Sequence, residues 1–413
     1  MTRYTGSVHV KILIVGSGGR EHALAWKLAR EGHRVFGAPG NPGIALEGEP
    51  LPTTDYMAAA RSVQPDLTVV GPEGPLVAGI VDQFRAAGMP IVGPSGENAR
   101  LEGSKIHAKE FMQRLGIPTA RFFRAGSEQE GIEALKRFDY PVVVKADGLA
   151  AGKGVVIAQD RAQAESAVRT LGPRMVIEEF LAGEEASFIA LCDGKTALAL
   201  EPTQDHKAVC DGDIGPNTGG MGAYCDGRIL TVQQTGQILS QIIQPVVEAT
   251  SFTGFLYAGL MLTAGVAKVL EFNVRLGDPE TQPLMHRLEC EFGEALMHAA
   301  TGDLKNVTLR WKREPSICVV LAAAGYPGDP RTGDTITGIE GCGADVFQAG
   351  TRMGAGGLET AGGRVLGVTA RGKNLSTAID NVYAAVSRIY FEGMHFRTDI
   401  GRKGLARWEE TPQ

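Results

Sequence analysis

The chain has 413 residues, with 41 lysines and arginines against 47 aspartates and glutamates, for a net charge of −6 at neutral pH. That length leaves room for roughly two to four domains with substantial cores, and the acidic balance argues against a nucleic-acid partner. Six cysteines without a C-x-x-C pair argue against a zinc site or disulfide framework and for reduced thiols in the cytoplasm; no apolar run is long enough to span a bilayer, and the first nine residues lack the apolar core of a signal peptide.

Residues 10–15, VKILIV, read as a buried parallel strand. Gly16-Ser17-Gly18-Gly19 turns it into a helix over 20–30, and a helix N-terminus after such a turn can receive an anion. A dinucleotide fingerprint needs glycine at its sixth position, which is Glu21 here, and no acidic residue closes the second strand at 34–37. NAD is therefore not expected. A strand over 66–71, a helix over 76–87 and a strand over 90–92 follow. Ligands bind outside the carboxyl ends of parallel strands, so the turns at 16–20, 41–43 and 71–73 should face one cleft.

A helix over 97–115 carries Lys105 and Lys109 on one face, by default both solvated. Ile117-Pro118 marks a boundary. A small unit follows, with a strand over 119–123 and a helix over 128–138. The next stretch, PVVVKADGLAAGKGVVI over 141–157, reads as strand, small-residue loop and strand. Glycines there let backbone N–H groups approach phosphate oxygens, with Lys145 and Lys153 as point charges; an ordinary hairpin with two surface lysines has the same pattern. After a helix over 161–171, the strand at 175–180 could pair its backbone with an adenine edge, and a carboxylate just beyond could hold ribose hydroxyls; a plain strand and charged turn fit equally.

Residues 204–224, QDHKAVCDGDIGPNTGGMGAY, form a long polar stretch expected to be an ordered substrate loop without regular structure. A helix over 229–250 and strands over 254–262 and 267–272 follow. Glu271 and Asn273 lie two apart on the last strand and so face the same way. A carboxylate beside an amide oxygen suits Mg²⁺, which keeps few protein ligands. The charged run RLGDPETQ at 275–282 is either a site signature or a solvated loop. From residue 310 onward the strands at 316–324 and 364–370 and the helix at 374–389 carry no catalytic constellation; they read as a closing α/β unit that walls the cleft.

Taken in order, VGSGGREHALAWKL (15–28), GNPG (40–43), VGPEGPL (70–76), LEGSK (101–105), VVVKADGLAAGKGVV (142–156), VIEEFLAGEEASF (176–188), QDHK (204–207), GPNTGGMGAY (215–224), GFLYAGLM (254–261) and EFNVRLGDPETQP (271–283) make the chain resemble the glycinamide ribonucleotide synthetases, the phosphoribosylamine–glycine ligases of purine synthesis within the ATP-grasp class. The resemblance implies an α/β fold in four units: an N-terminal parallel-sheet domain over 10–117, an ATP-grasp lid subdomain over 118–190, a central ATP-grasp domain over 191–314 and a C-terminal α/β domain over 315–413.

The resemblance also implies roles. Lys105, Lys145 and Arg275 would be the catalytic cations, the two lysines on the phosphates of ATP. Gly148, Gly152, Lys153 and Gly154 would close over those phosphates, Glu178, Glu179, Phe180 and Leu181 would frame the adenine, and Glu184 or Glu185 would hold the ribose. Glu271 and Asn273 would bind Mg²⁺ or Mn²⁺. Phosphoribosylamine and glycine would be held by Gly16, Gly18, Gly19, Arg20 and Glu21, by Asn41 and Gly43, by Pro72 and Glu73, by Asp213, Asn217, Thr218, Gly219, Gly220 and Met221, and by Arg275, Asp278, Glu280 and Thr281. A cytoplasmic monomer acting on small molecules is implied, with no membrane or nucleic-acid partner. The chain departs from the family at an abbreviated connection over 168–174 and in having no acid on the strand at 256–262, so the metal would rest on Glu271 and Asn273. The competing readings are a different ATP-grasp carboxylate–amine ligase, against which QDHK and GPNTGGMGAY speak, and a nucleotide-binding protein without catalysis, against which the retained lysines and metal ligands speak.

Overall fold

The computed structural model describes residues 9–149, 154–263 and 265–410. The strand Lys11–Gly16 is the middle of a five-stranded parallel sheet, flanked by Arg34–Pro39 and Leu67–Val70, with Glu49–Pro50 and Ile91–Val92 at the edges. Its side chains alternate between faces. Ile12 and Ile14 join a core with Leu24 and Leu28, while Leu13 and Val15 join one with Phe84 and Phe111. Burial on both faces explains the unbroken apolar run.

Two expected helices are each split. The first becomes Glu73–Val77 and Ile80–Ala86, parted at Gly79, whose φ of 79° is left-handed. The second becomes Gly96–Gly103 and Lys105–Leu115, parted at Ser104 in extended conformation. Ser104 Oγ accepts the His107 amide at 3.1 Å and donates to Asp147 Oδ1 at 2.8 Å. The break therefore caps the second helix and places Lys105 at its start.

The small unit is a four-stranded antiparallel sheet in the order Phe122–Ala125, Met175–Glu179, Val142–Ala146, Val155–Ala158. Val142, Val144 and Ile177 pack with Ala134, Leu135 and Val168 from its two helices. Val143 and Lys145 point to the opposite face, into a cleft.

A nine-stranded sheet makes the rest of the frame. Its path runs Val266–Asn273, Thr253–Thr263, Glu184–Asp193, Thr203–Asp205, Gly222–Cys225, Ser316–Ala322, Arg364–Arg371, Asp345–Gln348, with Ala197–Ala199 paired beside Glu184–Asp193. Gly222–Cys225 pairs antiparallel with Ser316–Ala322, so this sheet runs straight across residues 314 and 315. The stretch at 204–224 is not irregular. It holds part of Thr203–Asp205, a hairpin of Ala208–Cys210 with Ile214–Asn217, and the start of Gly222–Cys225. Pairing the backbone this way satisfies polar groups that a long structureless loop would leave open. Among the described residues no helix is long and apolar enough to cross a membrane.

Candidate functional site

The carboxyl ends of the parallel strands, the inner face of the four-stranded sheet and the end of Val266–Asn273 enclose a cleft of about 710 Å³, within the range that holds small ligands. At its floor lies Glu178, only 2% exposed. It sits opposite Val143 on the adjacent strand, so its side chain shares the cleft face with Lys145. Its two carboxylate oxygens close ion pairs with Lys145 and Lys109 at once. Lys145 Nζ also donates to the Leu270 carbonyl at 3.0 Å. Lys109 Nζ donates to Thr119 Oγ1 at 2.7 Å, and that hydroxyl donates to the Val269 carbonyl at 2.6 Å.

Lys109 thus corrects an expectation: it is buried in the site and not solvated. The i, i+4 spacing showed which helix face it shares, but its partner comes from a strand far along the chain. Burial lowers the Lys109 pKa to about 8 against the pull of Glu178. Burial opposes the Glu178 charge, yet Lys145 and Lys109 hold its pKa below the ordinary carboxylate value. The Glu178 carboxylate, expected beside an adenine, is turned to the two ammonium groups. Glu179, Phe180 and Leu181 line the cleft beside it, where Phe180, Leu149 and Ile157 are exposed apolar side chains.

Lys105 Nζ donates to the Gly148 carbonyl at 3.0 Å, tying its helix to the start of the glycine loop. Asp147 steadies that start by accepting from Ser104 and from the Ile106 amide at 3.2 Å, and by pairing with Arg174 at 2.9 Å. Gly148 and Gly154 line the cleft; Gly152 and Lys153 lie outside the described residues.

Glu271 and Asn273 both reach the cleft from one strand. A bulge at Leu270 breaks the register, pairing Glu271 with Gly259 and Val269 with Leu260. Among the described residues Glu271 closes no ion pair, though burial of its charge is outweighed by Lys207, Lys145, Lys105 and Arg275, which hold its pKa below the usual value. A free carboxylate beside an amide oxygen, in a ring of cations built for polyanions, fits a divalent ion carried with phosphates. Asn273 Oδ1 accepts from Arg275 Nη2 at 3.2 Å. Arg275 pairs with Glu102 at 2.8 Å and Glu73 at 3.5 Å, while Glu102 also accepts the Val274 amide at 2.8 Å.

At the other end, Glu21 fills the first strand–helix turn. Its Oε2 accepts the Gly18 amide at 2.5 Å and its Oε1 accepts from Arg20 Nε at 2.6 Å. A Cβ at Gly71 would collide with this carboxylate, which is why the neighbouring turn needs glycine. The turn's amide at Gly18 is therefore already engaged by a side chain, and Arg20 reaches on to the Leu276 carbonyl at 2.9 Å. Tyr257 donates to Glu280 Oε1 at 2.6 Å and meets Ser187 at 2.8 Å. Arg364 donates to the Gly219 carbonyl at 2.6 Å and pairs with Asp278 at 3.1 Å. Lys207 pairs with Glu185 at 3.0 Å. Burial raises the Asp205 pKa to about 7 against Lys207, with Glu280, Glu185 and Glu271 adding to the rise.

The cleft gathers Gly16, Gly18, Arg20, Glu21, Pro72, Glu73, Asn217, Thr218, Gly219, Arg275, Asp278 and Glu280, along with Lys105, Lys145, Glu271, Asn273 and Glu185. It leaves others outside its lining. Gly19 begins the first helix beside Gln282, Gly43 packs on His22, and Met221 is wholly buried in the core. Asn41 is spent on the Ser17 and Gln348 carbonyls and the Ile44 amide. Thr281 bonds the Gly277 carbonyl at 2.5 Å, Gly220 packs on Pro279, Glu184 turns to Gln204 and Arg407, and Asp213 pairs with Arg397 and Lys403. Glu102, Lys109, Asp205, Lys207, Tyr257 and Arg364 line the cleft without having been assigned to it. All but Lys109 and Arg364 sit inside motifs named above. Arg364 lies in the C-terminal unit that showed no constellation, and it reaches the cleft only through the continuous sheet.

Three family models match in tandem: the N domain of phosphoribosylglycinamide synthetase over residues 10–102, its ATP-grasp (A) domain over 103–281 and its C domain over 316–403. The chain is 48% identical to the phosphoribosylamine–glycine ligase of Xylella fastidiosa strain 9a5c, covering 96% of this chain and 97% of that protein. It is 49% identical to that of Allochromatium vinosum, covering 96% and 99%. The crystal structure of phosphoribosylamine–glycine ligase from Thermotoga maritima superposes with a TM-score of 0.85 at 36% identity, covering 95% of this chain and all of that one. A 2-oxoglutarate carboxylase biotin carboxylase domain from Hydrogenobacter thermophilus, at 15% identity and a TM-score of 0.74, shares the fold.

Proposed function

The chain belongs to the phosphoribosylglycinamide synthetase family, and on that premise we propose that its cleft carries the ATP-dependent ligation of glycine to 5-phosphoribosylamine, giving glycinamide ribonucleotide, ADP and phosphate in purine synthesis. One observation carries the assignment of chemistry to this cleft: Phe180 and Leu181, Lys105 and Lys145, the carboxylate–amide pair Glu271 and Asn273, and Arg275 all line the same cavity.

A glycine carboxylate oxygen attacks the γ-phosphorus as the bond to ADP breaks, leaving glycyl phosphate. The amine of phosphoribosylamine then attacks the acyl carbon, the bond to phosphate breaks and the nitrogen sheds a proton. Neither step needs a side-chain nucleophile. Burial pushes the Cys225 and Cys318 thiols up to about 12, so they hold their protons at neutral pH. What the protein supplies is alignment of like-charged reactants and fixed positive charge where negative charge develops. Lys145 and Lys105 face the phosphates, and Arg275, locked by Glu102 and Glu73, faces the transferred group. Glu271 and Asn273 would hold the Mg²⁺ or Mn²⁺ that offsets phosphate charge in such transfers. Phe180 and Leu181 receive the adenine and Glu185 the ribose. The acceptor substrates lie between Arg20, Asn217–Gly219, Asp278 and Glu280. On this reading the units over 118–190 and 191–314, with Lys105 from the unit over 10–117, hold ATP, the units over 10–117, 191–314 and 315–413 all contribute to the acceptor side, and the protein works as a cytoplasmic monomer.

The test is ADP release with ATP and Mg²⁺, adding glycine and phosphoribosylamine singly and together. ADP formed only with both present supports the reading; ADP formed without either, or only with a different amine, rejects it.

A further inference from the structure

Among the described residues Arg397 is the largest wholly buried side chain, 0% exposed, in a unit that the chemistry above does not use except through Arg364. Its guanidinium donates to Asp213 Oδ1 at 2.9 Å, to the Ala208 carbonyl at 3.1 Å, and to both oxygens of Asp399 at 2.7 Å. Its neighbours reach the same hairpin. The Thr398 amide donates to Asp211 Oδ1 at 2.8 Å and its hydroxyl to Asp211 Oδ2. Asp399 Oδ2 accepts the Gly212 amide at 2.9 Å, His395 Nε2 meets the Val209 carbonyl at 2.8 Å, and Lys403 pairs with Asp213. Tyr383, on the helix Leu375–Val386, holds this segment in turn by donating to the Arg397 carbonyl at 2.8 Å and accepting the Ile400 amide at 3.0 Å.

The hairpin so clasped has left-handed backbone at its tip, Gly212 at φ 69° and Asp213 at φ 58°. For aspartate that conformation persists where surrounding contacts impose it. Its second strand, Ile214–Asn217, runs directly into Asn217, Thr218 and Gly219 on the cleft wall. Those residues are held from the other side as well, Thr218 through the Lys207 carbonyl at 2.8 Å and Gly219 through Arg364.

We propose that Arg397 is a positioning residue for the acceptor end of the cleft: by fixing the hairpin it holds Asn217–Gly219 where the phosphate-bearing amine substrate binds, so the C-terminal unit sets affinity for that substrate. This rests on the ligase reading above. It also accounts for Asp213, which acts as the hairpin's anchor and not as a substrate contact. The amine substrate is chosen over glycine because Arg364 lines this wall: three of its donors hold the Gly219 and Asp278 carbonyls and the Asp278 carboxylate, and among the described residues its Nε–H and second Nη2–H have no partner, which suits them to a phosphate ester.

The experiment measures KM for ATP, glycine and phosphoribosylamine in wild type, Arg397→Met and Arg397→Lys, with melting temperatures and limited proteolysis within 208–217. Arg397→Met is expected to raise the KM for phosphoribosylamine by about tenfold or more while those for ATP and glycine stay within about twofold, with Arg397→Lys intermediate and cleavage within 208–217 faster in both. An unchanged KM for phosphoribosylamine in folded Arg397→Met, or equal rises for all three substrates, overturns the proposal. If Arg397→Met does not fold, the same reading applies to Arg397→Lys, and to Thr398→Val as a milder cut. Absence of turnover in wild type rejects the ligase reading instead, and the proteolysis then decides the clasp: unchanged cleavage rejects it.

Discussion

Replacing Glu178 by glutamine separates two roles for the residue at the floor of the cleft. Glu178 is 2% exposed and neutralises two ammonium groups whose side chains are themselves 3% and 8% exposed. Removing one member of a buried pair costs about 3–5 kcal/mol, because the remaining charge is stranded. The glutamine carbonyl can still accept one hydrogen bond, and Lys109, already near a pKa of about 8, sheds its proton more readily without the carboxylate. Both effects favour the lower figure, about 3 kcal/mol, or a fall in melting temperature of roughly 3–4 °C. Nucleotide should then act in reverse: its phosphates replace the missing counter-charge at Lys145, so Glu178→Gln should bind MgATP more tightly, and at equal MgATP concentration its melting temperature should rise more than that of wild type. The assay is a thermal melt of both proteins with and without MgATP. Equal melting temperatures without nucleotide would refute the counter-ion argument. A variant that gains less from MgATP than wild type would return Glu178 to the adenine.

Further outcomes follow from the same geometry. Glu271→Ala should lower turnover by about a hundredfold or more while leaving the circular dichroism spectrum intact, since a metal at that point supplies several kcal/mol of charge stabilisation; wild-type turnover in the variant would remove Glu271 from the metal site. Arg275→Lys should lose about tenfold or more in kcat, because an ammonium cannot span Glu102, Glu73 and Asn273 together; unchanged kcat would show that the bridge is not needed. His206 is buried and held at about 4 by burial and then by Arg397 and Lys403. Its folded value lies below its unfolded value of about 6.5, so the stability it contributes is present above pH 6.5 and lost as pH falls towards 4. Wild type should therefore lose up to about 3 kcal/mol relative to His206→Gln across that window; parallel stability–pH curves would rule this out.

Local rules sufficed wherever one segment makes its own structure. The run at 10–15 told of a strand buried on both faces, the glycines at 16–19 of a strand–helix turn, and the spacing of Glu271 and Asn273 of two side chains on one side of one strand, because backbone period and steric freedom act over a few residues. The resemblance carried the order of motifs and, with it, most of the cleft. What tertiary structure alone decided are the partners. Lys109 became a buried cation because Glu178 arrives from a distant strand, and Glu21 took up the Gly18 amide. Arg364 and Arg397 gained their places because Ser316–Ala322 adds its strands to the sheet of the preceding unit. Asp213 shows the difference most plainly: the resemblance set it among the substrate contacts, and the fold pairs it with a guanidinium 184 residues away. Charge pairing depends on distance in space, and sequence records distance only along the chain.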